Sequence, residues 1–176
     1  LKEIGLVLRN YANAHDDEFP SLSPEAGRFM FDSAAVFPEF ITEPKILICP
    51  GDADAPSGTP TRDAYFNDES YIYLNHVLSN QDDLREYITA YNSAVLTQED
   101  PRGALVSPTG KSFSPINARN QTEEASKIPV LVERPDNHYP PGGNVLFLDG
   151  HVEHIKLNQK FPMTEAFFSA IASAEH

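Results

Sequence analysis

The chain has 176 residues, 40% of them apolar and 10% aromatic, enough for one ordinary domain to bury a core without disulfides or structural metals. Thirteen Lys and Arg against 26 Asp and Glu leave a formal charge of -13, so the field repels phosphate backbones and anionic lipid surfaces, and nucleic acid is excluded as an expected partner. A single cysteine, Cys49, excludes an internal disulfide and any multi-cysteine zinc site, and no apolar run reaches the roughly 18 to 20 residues that span a bilayer.

In LKEIGLVLRNYANAHDD, Leu1, Ile4, Val7, Leu8 and Tyr11 recur at helical spacing, which predicts an amphipathic helix ending near His15 to Asp17, ahead of Pro20. Its first residue falls inside the helix pattern, so the chain reads as lacking an upstream segment. Ser23 as N-cap, Pro24 at the first helical position and Glu25 predict a short second helix reaching Phe31 to Val36. PKILICPGD reads as a short buried strand or extended segment closed by Pro50 and Gly51, followed by an acidic loop, GDADAPSGTPTRD. SYIYLN, residues 70 to 75, alternates as a strand does. NQDDLREYITAYNSAV predicts a helix from about 81 to 94, with Leu84, Tyr87, Ile88 and Tyr91 on one face. Residues 97 to 127 are polar and broken by prolines and glycines. IPVLVER is a strand, and TEAFFSAIASAEH is a C-terminal helix capped by Thr164 and anchored by Phe167, Phe168 and Ile171.

Between IPVLVER and that helix lies NVLFLDGHVEHI, residues 144 to 155. Asp-Gly between two β-like runs is a strong hairpin signal and predicts a two-residue type I′ turn at Asp149 and Gly150. That turn would set Leu148 opposite His151, Phe147 opposite Val152, Leu146 opposite Glu153 and Val145 opposite His154. Alternation then sends His151 and His154 to opposite sides of the sheet, where they cannot chelate one ion.

Two stretches and a tetrapeptide carry a family resemblance. LKEIGLVLRNYANAH resembles the segment that follows the hydrophobic half of the long N-terminal helix in type IV pilin-like proteins, including the pseudopilins of type II secretion. His138 with GGNVLFLDGHV is similar to the signature of a prepilin-type family in which a histidine is followed nine residues later by Asp-Gly, and CPGD, Cys49 to Asp52, is similar to that family's CPSD-like element. Ten residues, rather than nine, separate His138 from Asp149, and residues 55 to 127 match no part of the family.

The resemblance implies an upstream basic leader, a prepilin-peptidase site and an apolar half-helix. It also implies a non-enzymatic pseudopilin or pilin-like subunit that assembles into a type II secretion or type IV pilus-like filament. Its partners would be other pilin-like subunits and secretion machinery. The globular part would be periplasmic or at the cell surface, held to the cytoplasmic membrane through the upstream segment alone. Major pseudopilins carry a calcium site in their C-terminal region, so Ca²⁺ is implied by resemblance, with no ligands assigned here.

The expected architecture is a single α+β domain over 1–176, its N-terminal amphipathic helix packed on a small antiparallel sheet, with long loops and a C-terminal helix. No catalytic, cofactor or metal residues are expected in the filament-subunit reading. Cys49 follows the apolar run ILI with no evident base nearby, and reads as a buried inert thiol. Neither G-x-S-x-G nor a glycine-rich phosphate loop occurs. Asp52 and Asp54 lack the remaining ligands of a calcium loop, and the NQT sequon at 120–122 reads as chance. The alternative is an exported metal-dependent hydrolase or binding protein using His138, Asp149 and His151, with Glu133 or Asp136 as the carboxylate.

Overall fold

The computed structural model describes every residue except 54, 59, 121–123, 175 and 176. Asp54 of the acidic loop and the Gln121-Thr122 pair of the sequon therefore lie outside the described residues. The architecture is α+β: a four-stranded antiparallel sheet, a separate two-stranded ribbon, and helices that include one at each end of the chain.

Helix α1 spans Lys2–Ala14, and Ile4, Leu8 and Ala12 form its buried stripe, at the four-residue spacing that stacks side chains on one face. The helix stops where Asp16 and Asp17 take positive φ and the Asp17 amide turns back to the Ala12 carbonyl. Tyr11 and His15 stack one turn apart, with ring centroids 3.9 Å apart.

The expected second helix does not form over 23–32. Leu22 and Phe31 instead pair across a loop, and the Ser23 amide donates to the Met30 carbonyl. Phe29, Met30 and Phe31 are consecutive and all buried. A helix buries one face and cannot sink three neighbours at once, so burial overrides the Ser-Pro-Glu start signal. Only α2, Ser33–Val36, is helical, capped by the Asp32 side chain. PKILICPGD, expected as a short strand or extended segment, is not a strand: Pro44–Leu47 form a 3-10 turn, and Ile48 just beyond it is extended.

Strand β1 (Tyr71–Tyr73) leads to α3 (Gln81–Thr97), which is capped by Asn80 and one turn longer than the sequence predicts. The polar middle contains a ribbon, β2 (Leu105–Val106) and β3 (Ser112–Phe113), with β2 against α3. Strands β4 (Pro129–Glu133), β5 (Gly142–Phe147) and β6 (Val152–Lys156) complete the sheet in the order β1-β4-β5-β6. Every residue of β4 is buried, as befits an interior strand covered on both faces. Helix α4 (Glu165–Ala172) packs on α3 with Phe167 and Ile171 buried, and Thr164 Oγ1 caps it by accepting from the Phe167 amide.

Alternation along β5 assigns the layers. Gly143 faces Met163, which leads into α4, whereas Leu146, of opposite parity, faces Gly5 of α1. Leu8, Arg9, Val130, Leu146, Phe147 and Leu148 share that seam.

The β5–β6 hairpin departs from the sequence reading by one residue. Leu146 pairs with Val152, Val145 with Glu153 and Asn144 with His154. The Gly150 amide donates to the Phe147 carbonyl and the Phe147 amide to the His151 carbonyl, which makes a three-residue connection with Gly150 alone at positive φ. The cause is Leu148: its amide donates to the Ile128 carbonyl and its side chain is buried, so the chain stays with its neighbour for one residue more before reversing.

Candidate functional site

Cys49, Glu133 and His138 are drawn together from three parts of the chain, with one donor atom from each lying within 4.8 Å of the others. Each is positioned by a local reason. Cys49 ends the apolar stretch after the 3-10 turn, and the Asp52 amide donates to its carbonyl to form a tight turn. Ser70, at the start of β1, accepts from the Cys49 amide at 3.0 Å and donates to the Asp52 carboxylate at 2.5 Å, stitching this turn to the sheet. Gly51 lets it pack there: a Cβ would collide with the Asn137 carbonyl oxygen.

Glu133 ends β4 opposite Tyr71. Its register puts it on the same sheet face as Leu131 and Leu146, beneath α1. The backbone amide and side-chain amide of Asn144 both donate to its Oε2, at 2.8 and 2.7 Å. His138 follows the short 3-10 turn Pro135–Asn137. Its Nε2 lies 3.2 Å from Glu133 Oε2 and 3.4 Å from Cys49 Sγ.

Electrostatics keep the thiol protonated. Burial first, opposed by the Gly51 amide and seconded by the neighbouring Glu133, pushes the Cys49 thiol up to about 11. Burial also raises Glu133, but the Asn144 amide, the Cys49 thiol and His138 outweigh it and hold the carboxyl below its ordinary range. Tyr71, beside this carboxylate, is raised by burial first and by Glu133 second.

The arrangement is poorly suited to covalent catalysis. A Cys-His-acid relay needs the acid on the imidazole nitrogen away from the sulfur, where it fixes the tautomer. Here both sulfur and carboxylate meet the same Nε2. Cys49 is also fully buried, which leaves no approach for a substrate carbonyl. What three donors aimed at one point can do is hold one proton or one cation.

The structure separates the residues of the hydrolase alternative. His138 joins Cys49 and Glu133 near the start of β5, whereas Asp149 and His151 sit together at its other end. Asp149 Oδ1 accepts from the His151 amide at 3.0 Å and meets its Nδ1 at 2.6 Å, while the His151 ring stacks flat on Phe147. Burial raises the Asp149 carboxyl, but hydrogen bonds from His151 outweigh it and the net shift is downward. Of the two carboxylates considered as companions to His138, Glu133 is the one in contact; Asp136 is solvent-exposed. The reading of Cys49 as buried holds, but the reading that it has no base nearby is corrected. His138, 89 residues away, reaches it. The only sequence signal for this pair was that CPGD and His138 both belong to motifs of one resemblance.

Comparison with models of known protein families, with curated protein sequences and with solved structures found no match to the chain.

Proposed function

We propose that this chain is the globular part of a non-enzymatic pilin-like subunit, in which α1 both holds the sheet and presents a face to neighbouring subunits. The observation that carries the reading is the seam between α1 and β5. The Ile4-Leu8-Ala12 stripe is buried, Gly5 allows the helix backbone to approach Leu146 of β5 closely, and one turn on Arg9 reaches the Asp149 carbonyl at the hairpin end of that strand. Burial of Ile4 and Leu8 at about 1.5–3 kcal/mol each fastens the helix without using its other side. On that other side Lys2, Glu3, Leu6, Asn10 and Asn13 are exposed, and Leu6 keeps 63% of its surface accessible.

The reading requires an apolar segment of about 20 residues encoded directly upstream of Leu1, preceded by a basic leader ending in a peptidase site. Determining the upstream coding sequence tests that requirement, and a start codon directly before Leu1 would end the proposal. In the full-length protein, Leu6→Glu is expected to abolish filaments seen by electron microscopy while leaving the circular dichroism and thermal midpoint of the globular part unchanged. Filaments that form normally with Leu6→Glu would contradict the role given to this face.

A further inference from the structure

The geometry assigns a second property, independent of assembly: Cys49, Glu133 and His138 form a binding site for one divalent transition-metal ion of zinc-like preference. A tetrahedral zinc ion with Zn–S of about 2.3 Å and Zn–N and Zn–O of about 2.0–2.1 Å sets sulfur and nitrogen about 3.6 Å apart and nitrogen and oxygen about 3.3 Å apart. The corresponding separations here are 3.4 Å from Cys49 Sγ to His138 Nε2 and 3.2 Å from that Nε2 to Glu133 Oε2. His138 Nε2 thus stands at coordination spacing from both other ligand atoms, all three lie within 4.8 Å of one another, and a cation would draw the sulfur and the carboxylate in around it.

The donor set chooses the metal. One sulfur, one imidazole nitrogen and one carboxylate oxygen match a borderline-soft ion that accepts tetrahedral geometry, and mismatch Ca²⁺ and Mg²⁺, which take oxygen shells. Three protein ligands leave a fourth position for water.

The supporting contacts are those that orient ligands. Both amide groups of Asn144 fix Glu133 Oε2, and the Gly51 amide points at Cys49 Sγ at 3.4 Å. Accessibility is graded as a site needs. Cys49 is fully buried and the Glu133 side chain is 4% exposed, while the His138 side chain is 33% exposed and is the ligand that meets solvent. The ion would cross-link the CPGD turn to the β4–β5 connection. A chain with one cysteine has no disulfide to make that link.

The test uses chelator-treated protein titrated with Co²⁺ and then competed with Zn²⁺. One equivalent of Co²⁺ is expected, with a thiolate-to-cobalt charge-transfer band and the intense visible d–d bands of a tetrahedral ion. Zn²⁺ should remove both and raise the thermal midpoint. Cys49→Ser is expected to lose the charge-transfer band, and His138→Ala to weaken binding by more than about 100-fold, beyond the usual effect of altering an orienting contact. His151→Ala, at the exposed hairpin end, should bind as the parent does. His138 is partly exposed, so His138→Ala keeps the test decisive should Cys49→Ser fail to fold. Cobalt bound without a thiolate band, substoichiometric binding, or affinity kept in His138→Ala or lost in His151→Ala would each overturn the assignment.

Discussion

Arg9 of α1 donates from its guanidinium to the carbonyl oxygen of Asp149 at 2.9 Å, tying the first helix to a hairpin turn 140 residues later. The contact is exposed, so water competes for both groups and the bond contributes little by itself. Arg9→Ala is expected to cost under about 1 kcal/mol in urea unfolding. Gly150→Ala should cost more, about 1–3 kcal/mol, because Gly150 has φ +90° and a Cβ there would also meet Arg9 Nη2 at 3.1 Å. If the two losses were reversed in size, the turn geometry would not be what fixes this end of the sheet.

Gly5 tests the seam from the other side. A Cβ at position 5 would lie 3.2 Å from Leu146 Cδ1, the tip of a side chain that can give slightly. Alanine also improves helix propensity by about 1 kcal/mol, so Gly5→Ala should be close to neutral. Gly5→Val should lose about 1–3 kcal/mol by overpacking, and Leu8→Ala about 2–5 kcal/mol by leaving a cavity. Thermal or urea unfolding of the three variants gives the order directly.

His76 is fully buried between the ribbon and α3. Its Nε2 meets the Gly103 carbonyl oxygen at 2.7 Å, its Nδ1 meets Asn75 Oδ1 at 2.8 Å, and Tyr87 lies against the ring. Burial lowers its pKa to about 4, partly opposed by the Gly103 carbonyl. Protons therefore bind the unfolded chain first as pH falls. The stability of the neutral ring is whole above about pH 6.5 and is lost as pH drops through about 4, by at most about 3 kcal/mol. Urea midpoints across this range, with the His76 titration followed by NMR, check it. Protonation of His76 at its ordinary value in the folded protein would remove the effect.

Asn80 caps α3 by accepting from the amides of both Asp82 and Asp83. Asn80→Ala should cost about 1 kcal/mol, and Asn80→Asp should retain most of the stability. Equal losses in the two variants would show that the side chain acts through some contact other than the cap.

Much of the fold was legible because its signals are local. The α1 stripe, the face of α3 from Leu84 to Tyr91, the Thr164 cap, the strands around Ile72 and Leu131 and the Asp-Gly hairpin depend on neighbours within a turn or a reversal of the chain. Two of the misreadings share one cause. Ser23-Pro24-Glu25 is a sound helix start, yet Phe29, Met30 and Phe31 are all needed inside. Asp149-Gly150 is a sound two-residue turn, yet Leu148 is held by Ile128, which lengthens the loop and moves the register by one. Long-range burial won both contests.

An acidic α+β chain with an amphipathic first helix, a closing hairpin and a capped last helix can be read from local patterns, because periodicity and capping act over a few residues. Which histidine meets the cysteine is a matter of long-range packing. Cys49 and His138 are 89 positions apart, and their approach follows from the Ser70 stitch, the Gly51 turn and the register that sends Glu133 to the α1 face, none of which a linear spacing records.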